Sequence, residues 1–584
     1  MSQFSIGDED FLLDGKPVRV LSGALHYFRL HPDQWADRIR AARELGLNTI
    51  ETYIPWNAHS PRRGEFRTDG ILDLGRFLDE VAAQGMWAIV RPGPYICAEW
   101  AGGGLPGWLF SAGAGVRRSE PVYLAAVREY YEAVAEIVVP RQVDRGGPVV
   151  LVQVENEYGA YGDDKDYLRT LVDLLRTVGV TTPLTTIDQP EPWMLENGSL
   201  PGLHKTGSFG SRATERLATL RRHQPTGPLM CAEFWDGWFD SWGLHHHTTS
   251  AADSARELDE LLAAGASVNL YMLCGGTNFG LTNGANDKGV YVPIATSYDY
   301  DAPLDEAGRP TEKYWAFRDV IAKYAAVPPV TRTERAPAPT FVVPLTTSVP
   351  LWDVLDVLGS ESEHDHLPTV DELAHYEGFT TYRLLDRAAP GVLELAEVRD
   401  RAQLFLDREA VGVLSRDHGE RRAALPRGGV LEILVEDLGR VNYGPRIGEA
   451  KGLVGPALLG GAEVARWAVR PLDLDDMSVV TERVRDGVPL EGATVAGPAF
   501  AIGRFDTPGS DADHFLDTSA WGKGVAWVNG FCLGRFWSRG PQRTLYVPAP
   551  VLRAEGNELL VLVLDAAAPE ARFVEDLDLG HTEQ

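Results

Sequence analysis

The 584-residue sequence predicts a parallel (β/α)8 barrel followed by two all-β modules. Over residues 1 to about 325, short apolar runs rich in β-branched and aromatic residues alternate with amphipathic helical stretches, and roughly eight such units fit the length of one barrel. Beyond residue 345 the period changes to short strands punctuated by Gly, Pro, Asp and Asn.

RVLSGALHYF (19–28) predicts the first barrel strand and WADRIRAARELG (35–46) its helix. TIETYIPW (49–56) pairs in the same way with ILDLGRFLDEVAAQG (71–85), WAIVRPGPYI (87–96) with PVYLAAVREYYEAVAEIV (121–138), and VVLVQVENEYG (149–159) with YLRTLVDLLRTVG (167–179). PLTTID (183–188), a weaker run near TGSFGS (206–211), PLMCAEFW (228–235) and SVNLYMLCGG (267–276) supply four more strands. AADSARELDELLAAGA (251–266) and EKYWAFRDVIAKY (312–324) supply further helices. These strands are nearly continuous apolar runs, as expected of parallel strands covered on both faces. An open doubly wound sheet would normally carry a glycine-rich phosphate turn after its first strand, and neither GxGxxG nor GxxxxGK[ST] occurs there.

Residues 1–326 are therefore read as the barrel, and the proline-dense VPPVTRTERAPAPTFVVP (327–344) as a linker. FTTYRLL, GVLELAEV, AQLFLD and VLEILVED predict a β-sandwich module over 345–475. GVAWVNG, RTLYVPAP and NELLVLVLD predict a jelly-roll module over 476–584.

Composition removes several classes of function. A net charge of −28 argues against nucleic acid or an anionic membrane surface as the main partner. The N-terminus begins MSQFSIGDED, without the basic stretch and apolar block of a secretory leader, and no apolar run is long enough to cross a membrane. The four cysteines are scattered without metal-ligand or disulfide spacing. A soluble cytoplasmic protein is expected.

Barrel chemistry gathers where the strands end at their C-terminal side. VVLVQVENEYG ends in Glu155, Asn156 and Glu157, and strand alternation would place both glutamates on one side unless the chain has already turned into its loop. In PLMCAEFWDGWFDSWG, Glu233 is surrounded by Trp235, Trp238 and Trp242, an aromatic and acidic composition suited to a sugar subsite. Two carboxylates about three βα units apart would face each other across the mouth, as glycosidic bond cleavage requires. Tyr53 and Asn57, Glu99 and Trp100, Tyr271 and Asn278, and the SYDYD run of Tyr298 to Asp301 sit at other strand ends. His245, His246 and His247 are consecutive, cannot share one face, and read as a solvated loop.

These stretches, ETYIPWNAHSP, RPGPYICAEWAGGGLPGW, QVENEYGAYG, AEFWDGWFDSWG, NLYMLCGGTNFG and SYDYDAPLDEAGRPTEKY, resemble glycoside hydrolase family 35, retaining β-galactosidases on a TIM barrel. The resemblance runs in order over most of residues 15–320, and the β modules look like that family's jelly rolls. It implies Glu157 as acid/base, leaving Glu155 aside, and Glu233 as nucleophile. It further implies that Asn156, Tyr53, the backbone of Cys97 and Ala98, the Glu99 carboxylate and Tyr300 hold a terminal galactose, with Tyr271 near the nucleophile and Trp238 bordering the sugar. No metal or cofactor is implied, and the partner is a galactose-terminated oligosaccharide; two copies could also pair through the β modules. A related exo-glycosidase such as a β-glucosaminidase, and a glycan-binding protein without catalysis, are the alternatives. Trp235 stands where many members carry tyrosine, which bears on the preferred aglycone.

Overall fold

The computed structural model describes residues 2–331, 337–508 and 512–582. Eight parallel strands close in chain order: β1 (Leu21–Leu25), β2 (Thr49–Tyr53), β3 (Trp87–Arg91), β4 (Val149–Gln153), β5 (Leu184–Asp188), β6 (His204–Ser208), β7 (Met230–Trp235) and β8 (Ser267–Cys274). The ring is completed where β8 pairs with β1, Val268 opposite Leu21. Each strand falls within or against a run that the sequence predicts, including the weak one at 206–211.

Among the described residues, seven helices of ten residues or more pack outside: α1 (Trp35–Leu45), α2 (Leu74–Ala83), α3 (Pro121–Val138), α4 (Lys165–Thr177), α5 (Ala213–His223), α6 (Ala251–Ala263) and α7 (Glu312–Ile321). Local chemistry marks their starts. Asp164 and Ser250 accept the exposed amides of Tyr167 and Asp253, and Glu120 with Pro121 opens α3. Helix α5 is absent from the sequence reading. Its ATERLATLRRH buries only Ala213, Leu217, Thr219 and Leu220, too few apolar positions to stand out as a periodic stripe.

Inside the ring, polarity rises along the axis. Ile89 and Arg91 share one face of β3, as do Leu151 and Gln153 on β4. At the lower end Ile89, Leu151, Ile187 and Met230 cluster with Phe4 and Phe11, which two N-terminal antiparallel strands contribute. Nearer the upper end the buried residues become Glu51, Arg91, Gln153 and Asn269. An apolar plug therefore seals one end, and buried polar groups that need partners collect at the other.

The all-β part differs from the sequence reading in one connection. Phe341–Pro350, which straddles the expected linker and first module, is a strand lying between Ala499–Phe505 and Glu570–Val574 in the C-terminal sheet. Its prolines suggested a linker, yet Val343 and Leu345 alternate inward into that sheet's core, so burial outweighs the proline signal. Linker residues 332–336 lie outside the described residues. Residues 362–472 form a six-stranded and a four-stranded sheet around Tyr382, Leu404, Ile433 and Trp467. From this module Val441–Tyr443 pairs in parallel with Ala285–Asp287, in the loop after β8. That pairing joins the module to the upper end of the barrel.

Candidate active site

Glu233 lies on β7 opposite Ser208 of β6, where the ladder register shifts between Cys231 and Glu233. A register shift of this kind re-aims the side chain it carries. The Glu233 carboxylate is buried and fully engaged. Its Oε1 lies 2.8 Å from the Tyr53 hydroxyl and accepts a 2.5 Å bond from Arg91 Nη2, and its Oε2 accepts from Trp235 Nε1 at 3.1 Å. Short hydrogen bonds of this type fix the orientation of a carboxylate.

Strand β4 stops at Gln153, and the chain then turns sharply. Glu155 and Glu157 both adopt left-handed backbone, with φ of 58° and 43°. The alternation expected from the sequence does not apply, and the two side chains part. Glu155 is buried against Arg117 at 2.9 Å and accepts the Tyr167 hydroxyl at 2.6 Å, which makes it a structural ion pair. Glu157 turns to the mouth, where its Oε1 accepts the Ser208 hydroxyl at 2.7 Å. Since Ser208 is the in-register neighbour of Glu233, one serine ties the two carboxyl groups to the same pair of strand ends. Burial pushes the Glu157 carboxyl up to about 7, and the negative charge of Glu233 adds to the effect; Ser208, Arg91 and Gln189 oppose it. Non-glycine residues held left-handed cost about 1–3 kcal/mol each, a strain that clusters at functional sites.

Asn156 sits between the two glutamates. Its Oδ1 lies 3.0 Å from the Tyr53 hydroxyl and accepts Arg91 Nη2 at 2.5 Å, so the Nδ2 donor is the group left to meet a ligand. Cys97, Ala98 and Glu99 form three consecutive left-handed residues, with φ of 57°, 51° and 48°. The Ala98 carbonyl accepts Arg29 Nη2 at 2.5 Å, and Glu99 Oε2 accepts the Tyr298 hydroxyl at 2.5 Å. Burial raises the Glu99 carboxyl, while Tyr298 and Arg29 pull it back. Tyr271 reaches Tyr298 hydroxyl to hydroxyl at 3.5 Å and stands edge-on to the rings of Tyr53 and Tyr300. Trp238 neighbours Tyr300 and stacks on Phe239, yet remains 37% exposed. A part-exposed indole beside buried polar groups suits the C–H face of a sugar.

The ten residues that the resemblance implies, Glu157, Glu233, Tyr53, Cys97, Ala98, Glu99, Asn156, Trp238, Tyr271 and Tyr300, are linked in the structure through hydrogen bonds, ring contacts or chain adjacency, with Ser208 and Tyr298 as bridges. Arg91 and Ser208 escaped the sequence reading. Arg91 ends an apolar strand just as Glu233 does and could have been found by the same signal. Ser208 carries no signal at all. Tyr443 is also near: its hydroxyl is raised by burial and by the charge of Glu157. In the histidine run, His246 lies 2.7 Å from Asp240, and among the described residues no cluster of three or more His, Cys, Asp or Glu is arranged to hold a metal ion.

Comparison with known proteins fits this geometry. The family described as "Glycosyl hydrolases family 35" matches residues 10–324, "Beta-galactosidase, first all-beta domain" matches 368–473, and "Beta-galactosidase, galactose-binding domain" matches 498–557. A β-galactosidase of Xanthomonas manihotis is 40% identical over 93% of this chain and 91% of its own. The β-galactosidase of Bos taurus is 40% identical over 97% of this chain and 92% of its own, and that of Homo sapiens 39% identical over 97% and 88%.

Proposed function

The chain belongs to glycosyl hydrolase family 35, and from that premise we propose how its barrel mouth removes terminal β-linked galactose. The protein is an exo-β-galactosidase working by double displacement. Glu233 attacks the anomeric carbon as the glycosidic C–O bond breaks, and the proton on Glu157 passes to the departing oxygen. The galactosyl ester of Glu233 is then hydrolysed by a water that gives its proton to Glu157. Esterification removes the Glu233 charge, one of the causes holding the Glu157 proton, so the same group can serve as acid and then as base.

One observation carries this reading: Ser208 hydrogen-bonds Glu157 and is itself the in-register strand neighbour of Glu233, which supports one site for both carboxyl groups. In this reading Asn156 Nδ2 meets the 2-hydroxyl beside the reacting carbon, and Glu99, Tyr300 and the Cys97–Ala98 backbone hold the rest of the sugar. On aryl glycosides, kcat/KM for the galactoside is expected to exceed that for the N-acetylglucosaminide on the order of 10²-fold or more, because a buried polar group left unpaired penalises the wrong sugar. Proton NMR should find the β anomer of galactose released first. First release of the α anomer would overturn the double displacement.

In this reading Trp238 borders the bound sugar. Removing its ring by Trp238→Ala is expected to raise KM for a galactosyl disaccharide about 10-fold, the loss of roughly one stacking contact, with kcat changed far less. Initial-rate kinetics on the disaccharide check this, and an unchanged KM would take Trp238 out of the binding surface. The four cysteines are free, which supports placement in a reducing cytoplasm.

A further inference from the structure

Below the mouth, a second acid shares the cation that holds the nucleophile. Glu51 lies on β2 with its side chain buried. Arg91 Nη1 is 3.5 Å from Glu51 Oε1, while Arg91 Nη2 is 2.5 Å from Glu233 Oε1 and from Asn156 Oδ1. On its other side Glu51 Oε2 accepts Asn269 Nδ2 of β8 at 3.2 Å. One buried guanidinium therefore stands between two buried carboxyl groups, and the mechanism uses only one of them.

We propose that Glu51 is a positioning residue that sets how much of the Arg91 charge acts on Glu233 and, across the cleft, on Glu157. The proposal rests on the roles given above to those two glutamates. When Glu51 is protonated, Arg91 acts undivided on the mouth. When it is ionised, it offsets Arg91, whose charge otherwise opposes the Glu157 proton. The charged groups facing Glu51 are Arg91 from β3 and Glu233 from β7; the Tyr53 phenol is neutral, because burial raises it well above its ordinary value. Burial pushes Glu51 up to about 7, with Arg91 opposing and Glu233 reinforcing, so its charge changes within the working range of the acid/base. An ionised Glu51 thus lets Glu157 keep its proton to higher pH.

The test is Glu51→Gln in the full chain, which keeps the shape and an acceptor for Asn269. Values of kcat/KM on an aryl β-galactoside with a poor leaving group are measured from pH 4 to 10, beside the parent and Glu157→Gln. The alkaline limb of Glu51→Gln is expected to move to lower pH by about half a unit or more. The ratio of kcat/KM at pH 6 to that at pH 8.5 should then rise about 3-fold, the change such a shift produces. A uniform loss at every pH, or a profile superimposable on the parent's, overturns the proposal. If Glu157→Gln keeps the parent's alkaline limb, the acid/base assignment falls; if it loses that limb and Glu51→Gln leaves it in place, only the role of Glu51 falls.

Discussion

With Glu157 replaced by Ala, kcat/KM on a galactosyl disaccharide is expected to fall about 10³- to 10⁴-fold, the upper range for a lost general acid. A galactoside whose leaving group departs without a proton, such as 2,4-dinitrophenolate, should lose far less in its first step. The galactosyl ester then accumulates, because water lacks its base, and azide, which needs none, restores turnover with β-galactosyl azide as the product. An α-azide, or no acceleration, would remove Glu157 from the role. The same carboxyl governs pH dependence. Burial and Glu233 push it up to about 7, so the parent's kcat/KM on the disaccharide declines as pH rises through that value. Stability moves with it. A carboxyl whose folded pKa is raised contributes its stability fully below the unfolded value of 4.5 and loses it as pH rises through about 7. Glu157→Gln, with no charge to bury, should therefore gain in Tm over the parent between pH 4 and pH 8.

The barrel was legible because its strands are buried on both faces, so VVLVQ and SVNLYMLC stand out as nearly continuous apolar runs. The catalytic candidates were legible for the complementary reason. A run of that kind ending in Glu233 or in Glu155–Asn156–Glu157 carries charge into an apolar wall and needs an explanation. Residue chemistry alone could not separate Glu155 from Glu157, since the left-handed turns after Gln153 leave no trace in a pattern based on alternation. The partners that separate them, Arg117 for one and Ser208 for the other, come from distant segments. Long-range pairing also explains the misplaced strand Phe341–Pro350, whose neighbours lie about 150 and 230 residues further along the chain. It explains as well why nothing in the barrel sequence points to Tyr443: a β module delivers that residue through the pairing of Val441–Tyr443 with Ala285–Asp287.

Glu233→Gln is expected to reduce turnover on every galactoside by more than about 10⁴-fold, activated leaving groups included, because no acid or leaving group replaces the missing nucleophile. The isostere keeps acceptors or donors near Tyr53, Trp235 and Arg91, and Arg91 retains Glu51 as a buried counter-charge, so the fold should survive. In the parent, a slow 2-deoxy-2-fluorogalactoside should leave its sugar esterified to Glu233, identified by mass spectrometry of the peptide that contains it. The variant also isolates the electrostatic half of the mechanism. With the charge of Glu233 gone, one of the two causes that raise Glu157 is removed while its burial stays the same, which is the condition of the galactosyl ester held permanently. Carbon-13 NMR of labelled glutamate should therefore show Glu157 titrating at lower pH in Glu233→Gln than in the parent. An unmoved titration would mean that the two carboxyl groups do not feel each other, and a single residue could not then act as acid in one step and base in the next.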